Sequence, residues 1–333
     1  MGYSISVLNN IRANASEEYQ ARIPEATQTN IATIGNALQT YELLFNEFCA
    51  ALVSKIGKTI LETKLFKNKL SKFKSGQITN QQDVEEIFIE MCKAEGSYDK
   101  TGPNPLGRRT PPDVKVLYHR MNRQDYYAIS IGDIDFVRVF RSEATLDEFI
   151  SGLFNAVYSG ASYDEWLAMK NLIATYEGYF DYEVPVITGA NAESSAKAFV
   201  KTLRKAVNDL SFVSTQYNAA GVKTWTDRKD MVLLVNKDVV AEVDVEVLAK
   251  AFNMGKTDIE VTIEVMDDFG SLTDTYGILM DKKWFRVWDT LSTMRQQSPN
   301  AQGLFTNYFY HIHQILSVSR FKNAVRFKAV AGA

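Results

Sequence analysis

Apolar and polar residues alternate along this chain with two different periods. Ile34, Leu38, Tyr41, Phe45, Phe48 and Leu52 recur every three or four positions, which predicts a helix with one buried face. Residues 1–24 ahead of it are polar with scattered apolar side chains and read as an extended or mobile arm. A second helix is predicted over 145–176, from Leu146, Phe149, Ile150, Leu153, Phe154 and Val157. It resumes with Trp166, Leu167, Met169 and Ile173 after a break at Gly160. A third spans 192–210 through Ala196, Phe199, Val200, Leu203 and Val207, and shorter helices are expected at 245–252 and 283–293.

Period-two stretches predict strands at 84–91, at Val114, Val116 and Tyr118, and at Tyr127, Ile129 and Ile131. Further strands are expected at 231–235, 259–265 and 276–280, with 307–330 returning into a sheet. Helices and strands interleave in the second half, so the fold class is α+β. Between the first two strands, residues 94–112 carry four of the chain's seven prolines and three glycines. Such density resists helix and sheet alike, and a loop of that length within a domain points to function or mobility.

Charge adds one feature. Lys55, Lys58, Lys64, Lys67, Lys69, Lys72 and Lys74 are opposed only by Glu62, which reads either as a solvated face or as a contact with phosphates or an acidic partner. The whole chain has 37 basic and 40 acidic residues, for a net charge of −3, which argues against a globally basic nucleic-acid binder. At 333 residues it is long enough for one large domain or two ordinary ones. Cys49 and Cys92 read as reduced, buried thiols of a protein folded in a reducing cytosol. No basic-then-apolar leader opens the sequence and no run of eighteen apolar residues occurs, so neither secretion nor a membrane span is expected.

Catalytic patterns are missing. The sequence contains no glycine-rich phosphate loop, GxSxG elbow, CxxC, HExxH or EF-hand. His311 and His313 lack a neighbouring acidic ligand and read as packing residues, while Asp133, Asp135, Asp267 and Asp268 read as acidic turns or caps. No catalytic, cofactor-binding or metal residue is assigned, and an enzyme is not expected.

Several blocks, taken in order, resemble the major capsid (head) proteins of small short-tailed bacteriophages with the Hong Kong 97-like fold. They include Phe45-Asn46-Glu47-Phe48, 53–60, 66–76, Glu85-Glu86-Ile87-Phe88 and Pro112-Asp113-Val114-Lys115. The 118–127 stretch, Asp164-Glu165, 244–253 and 321–327 complete the series, which covers roughly 45–328. The resemblance implies an N-terminal arm and helix at 1–75, an E-loop hairpin at 76–132, and a peripheral domain with a long spine helix at 133–179. It further implies an axial domain at 180–306 and a C-terminal return strand of the peripheral domain at 307–333. The implied function is self-assembly, as hexamers and pentamers, into an icosahedral-type shell around double-stranded DNA. Scaffolding and portal proteins are implied partners, the host cytoplasm the place of assembly and the virion capsid the destination. No cofactor and no membrane are expected. Lys64, Lys67, Lys69, Lys72, Lys74, Arg108 and Arg109 are the candidate assembly residues. No lysine, asparagine and acidic trio that would support the covalent cross-linking of some relatives is legible. The alternatives are a cellular nanocompartment shell of the same fold and, from a different class, a soluble enzyme without a recognisable motif.

Overall fold

The computed structural model describes residues 3–41, 43–45, 47–48, 51, 66–78, 83–92, 111–132, 143–187, 192–242, 262–297 and 302–330. The expected helix at 245–252 and the proline-rich loop from 93 to 110 lie outside them.

The N-terminal segment departs from its expected extended form. Helices α1 (Tyr3–Ala13) and α2 (Glu17–Arg22) form within it, followed by α3 (Ile31–Thr40). Ile5, Leu8 and Ile11 recur at three-residue steps on α1, and with Tyr19, Ile23, Ile34 and Leu38 they make a buried cluster. The Ser16 hydroxyl caps α2, accepting from the Tyr19 amide at 3.2 Å. The single helix expected from Ile34 to Leu52 breaks at Tyr41, whose backbone is extended and whose ring is exposed.

Strand β1 (Gly76–Gln77) precedes a hairpin of β2 (Val84–Ile89) and β3 (Val114–His119), and β4 (Arg123–Gly132) follows directly. Next comes α4 (Glu143–Thr175), 33 residues and about 50 Å long. It runs unbroken through Gly160, against expectation. A Cβ at Gly160 would sit 3.8 Å from the Tyr127 ring, an ordinary contact, and the glycine does not interrupt the helix.

The chain continues through β5 (Phe180–Pro185), α5 (Ala192–Ser211), β6 (Met231–Asn236), α6 (Lys237–Glu242), β7 (Thr262–Met266) and β8 (Thr275–Asp281). It ends with β9 (Phe285–Gln296), β10 (Phe305–Val318) and β11 (Ala324–Val330). The helix expected at 283–293 is therefore a strand. Trp284, Val287 and Leu291 imitate helical spacing, but Phe285 and Val287 alternate as well. Pairing with β10 on one edge and β1 on the other decides in favour of sheet.

Two larger sheets result, ordered β1-β9-β10-β4 and β5-β11-β8-β6-β7. The boundary expected between 306 and 307 does not coincide with a change of sheet. Strand β9 already pairs with β10, and β11 joins the five-stranded sheet between β5 and β8. One face of that sheet packs Leu233, Val235, Leu279 and Phe327 against Phe199, Leu203 and Leu210 of α5. Its other face packs Leu234, Ile278 and Met280 against Trp166, Met169 and Ile173 of α4. Farther back, Val157 and Ala161 of the same helix cover Tyr310 and Ile312 of the four-stranded sheet. Helix α4 is thus the element common to both sheets.

Because the site at Gly160 has room for a methyl group, Gly160→Ala should stabilise the subunit by about 0.5–1 kcal/mol through helix propensity. A denaturant midpoint below the parent's would show that the glycine relieves a strain at this point.

Candidate functional site

Two polar clusters position the surfaces this fold can present. The first lies where α4 crosses the four-stranded sheet. Glu165 is buried there, and its Oε1 accepts from the Asn68 amide at 2.7 Å. Its Oε2 accepts from Lys74 Nζ at 2.8 Å and from the Gln314 amide at 2.5 Å. Lys74 donates in addition to Asp289 on β9 at 2.7 Å, and Gln314 donates to the same carboxylate at 2.6 Å. Arg123 of β4 continues the network to Gln314 at 2.7 Å and to the Tyr127 hydroxyl at 2.9 Å, and that hydroxyl donates to Asp164 of α4 at 2.6 Å. Burial opposes the charged form of Glu165, but Lys74, Gln314 and Asn68 outweigh it and hold the carboxyl below its usual range. Burial likewise disfavours the Lys74 ammonium, yet Glu165 and Asp289 raise its pKa overall.

The candidate lysines therefore divide. Lys74 is spent inside the subunit, and Lys72 pairs with Glu264 beside β7. Lys67 and Lys69 are exposed, while Lys64, Arg108 and Arg109 lie outside the described residues. The trio that the sequence does not reveal is present in space, since Asn68, Lys74 and Glu165 converge from positions up to 97 residues apart. The raised pKa of Lys74 favours its ammonium form, which pairs with the Glu165 and Asp289 carboxylates.

The second cluster anchors the hairpin. Glu86 of β2 accepts from Arg286 Nε of β9 at 3.1 Å and from the Ser319 hydroxyl at 2.8 Å. It also lies 3.0 Å from His119 Nε2 of β3, whose Nδ1 is 2.6 Å from the Ser317 hydroxyl. The Phe88 ring packs on Phe321 with centroids 5.5 Å apart. Asn122 and Leu316 exchange two hydrogen bonds of 2.8 Å, fixing the corner between β3 and β4 to β10. Burial would push the Glu86 carboxyl up, but His119, Arg286 and Ser319 bring it down to about 2.

Opposite this anchored face, the hairpin is apolar and uncovered. Ile87 pairs with Val116 and Ile89 with Val114, so all four point the same way. Ile87 is 55% exposed, Ile89 60%, and Tyr118 on the same face 59%. Cys92, past the end of β2 that is farther from the anchored Val84 and His119 pair, is exposed as well, where a buried thiol was expected. Cys49 lies outside the described residues. On α4, Tyr163 and Leu167 form a second exposed apolar stripe, extended by Phe66 edge-on to Tyr163 at 5.6 Å. A cleft of about 620 Å³, lined by Tyr118, His119, Tyr176 and Arg320, separates the hairpin base from the end of α4. Alternation in the sequence marks the hairpin strands, but nothing local tells which of their faces stays bare or that Glu86, His119 and Arg286 meet. The two other features flagged earlier serve packing: His311 lies beside the Tyr126 and Phe309 rings, and Asp267 and Asp268 clamp Lys170 at 3.0 and 2.8 Å.

Lys74→Met should cost about 3–5 kcal/mol, because Glu165 and Asp289 would be left facing each other without their cation. A loss below 1 kcal/mol in chemical denaturation would show that water replaces the lysine. The lowered pKa of Glu86 means its stabilisation is complete above about pH 4.5 and is lost as pH falls toward about 2. Discounted for solvent screening, the lost contribution is about 1–2 kcal/mol. The thermal midpoint of Glu86→Gln should accordingly fall less than the parent's between pH 5 and pH 2.5. Parallel curves would place the acid response elsewhere.

A family described as Phi29-like phage major capsid protein matches residues 8–328. The major capsid protein of Bacillus phage PZA is 36% identical over 329 residues, spanning 97% of this chain and 72% of that one. That of Bacillus phage B103 is 35% identical, with the same coverage of both. The major capsid protein of Streptococcus phage Cp-1 is 29% identical over 96% of this chain and 93% of its own. In structure, the capsid of Staphylococcus phage Andhra aligns with a TM-score of 0.64 at 11% identity, over 82% of this chain and 87% of the other. The mature capsid of bacteriophage PhiM1 aligns at 0.52 with 10% identity, over 81% and 89%. These likenesses identify the fold as Hong Kong 97-like. Matched along nearly its whole length, the chain belongs to the Phi29-like phage major capsid protein family, as a structural subunit of the shell in the virion.

Proposed function

We propose that copies of this subunit assemble in the host cytoplasm into hexamers and pentamers that close around double-stranded DNA, with scaffolding and portal proteins as partners. Catalysis has no part in this reading. The observation that carries it is the hairpin, whose inner face is tied down by Glu86 while its outer face leaves Ile87, Ile89, Val114, Val116 and Tyr118 in solvent. Soluble monomers rarely expose contiguous apolar surface of this kind, and its natural cover is another subunit. The Phe66, Tyr163 and Leu167 stripe of a neighbour offers a matching apolar surface. Such a head-to-tail contact joins different patches, so repeating it around an axis produces a closed ring. Lys64, Lys67 and Lys69, with Arg108 and Arg109 from the stretch of sequence between β2 and β3, belong at the seams, where ammonium and guanidinium groups can pair with carboxylates.

In this reading the arm and its helices occupy 1–75 and the hairpin 76–132. The peripheral domain with α4 occupies 133–179, the axial domain with α5 occupies 180–306, and 307–333 returns to the peripheral domain.

Replacing Ile87 and Val116 by Ser should leave helical content by circular dichroism unchanged and abolish closed particles in electron micrographs. Each subunit then loses two apolar anchors, at about 1–3 kcal/mol apiece, and the loss recurs at every contact. Normal particles from the folded variant would overturn the hairpin's role.

A further inference from the structure

We propose that the free edge of β4 pairs with the same strand of a second copy of this chain, antiparallel and across a two-fold axis, an inference that rests on the shell-forming function proposed above. In the four-stranded sheet the order is β1-β9-β10-β4, so β4 is an edge strand. It pairs with β10 without interruption, from Arg123 opposite Gln314 to Gly132 opposite Phe305. An antiparallel ladder takes the amide and carbonyl of every second residue on each side, so about five residues of β4 aim theirs away from β10. Among the described residues no other strand meets that edge.

Soluble proteins guard such edges by shortness, by charge or proline, or by a bulge that twists the strand away. The other edges of the two larger sheets have these guards. Strand β1 has 2 residues and β7 has 5, while β5, with 6, carries Asp181 and Glu183 and ends at Pro185. Strand β4 has 10 residues, contains neither lysine nor proline, and keeps an unbroken register with β10. Its charge does not repel a copy, since Asp125, its one carboxylate, pairs with Arg123 at 2.6 Å. Along one face Gln124, Tyr126, Ala128 and Ser130 are all exposed, which leaves a neighbouring strand room to approach.

Symmetry selects the occupant. A head-to-tail hairpin contact closes a ring and is used up within it, so rings need a second contact to join into a shell. Between rings of identical subunits the simplest such contact is two-fold, with one patch meeting itself. An antiparallel strand pair has that symmetry. Two copies of β4 related by half a turn complete each other's ladder and make one sheet continuous across the seam.

Hydrogen exchange reads the pairing residue by residue. In purified shells about half of the β4 amides, at alternate positions, should exchange at least about tenfold more slowly than in the unassembled subunit. Equal exchange in the two states would overturn the pairing. So would slowing of the same amides in the unassembled subunit on addition of scaffolding protein, which would give the edge to that partner. Ala128→Lys brings like charges together near the two-fold axis. It should keep the parent's circular dichroism and its rings, while the yield of closed shells falls several-fold at low salt and recovers as salt screens the repulsion. Parent yield from this variant at low salt would also overturn the pairing. A parent that never forms shells sinks the function proposed above and the pairing with it, whereas shells with an unprotected β4 sink the pairing alone.

Discussion

The buried carboxylate of Glu165 is the constraint on which the rest of this subunit depends. An ionised group away from water must be met by donors, and here they come from Asn68 and Lys74, on the segment before β1, and from Gln314 of β10. Lys74 in turn requires Asp289, so α4, β9, β10 and the segment before β1 are held at one point. Apolar packing alone would let a 33-residue helix slide or roll on the sheet at small cost. Directed hydrogen bonds to one carboxylate fix its register, and the same helix also closes one face of the five-stranded sheet. Fixing α4 therefore fixes both sheets relative to the residues of its exposed stripe.

From this frame the hairpin projects as an independent lever. A two-stranded ribbon is marginal in water by itself, because it lacks a third strand or a helix to cover its apolar face. Glu86 supplies a polar anchor at one end, fixing β2 and β3 to β9 and to Ser319. Beyond that anchor the outer face is open, and in the proposed shell the next molecule covers it. The arrangement keeps each free subunit incomplete, which suits a protein whose folded state is meant to be repeated.

Much of this was legible in the sequence where one period dominates. The run Met231-Val232-Leu233-Leu234-Val235 is buried throughout as a central strand, and α5 keeps its expected face and length. Legibility failed where two periods coexist, as in β9, whose Trp284, Val287 and Leu291 spacing competes with Phe285 and Val287. It failed too for the first 24 residues, whose short helices owe their stability to the cluster around Tyr19 and Ile34 and not to their own length. The lysine-rich stretch was legible only in part: its charges were plain, but the carboxylates that pair with Lys74 lie 91 and 215 residues away. The residues that hold the hairpin suffer from the same distance, since Glu86 and Arg286 are 200 positions apart.

The two polar clusters also differ in what their loss would affect. Around Glu165 every partner is deep in the subunit, so disturbing it acts on folding. Around Glu86 the partners lie at the root of an element whose outer face has no cover within the subunit, so disturbing it acts first on the direction in which the hairpin points. A lever with a loosened root samples many orientations, and each must be given up again when a neighbour is engaged, at an entropic cost paid per subunit. Because a shell repeats that engagement at every position, a change too small to unfold one molecule is enough to prevent closure. In the proposed shell, assembly competence is therefore more fragile than the fold, and the carboxylate at the base of the hairpin is one of its weak points.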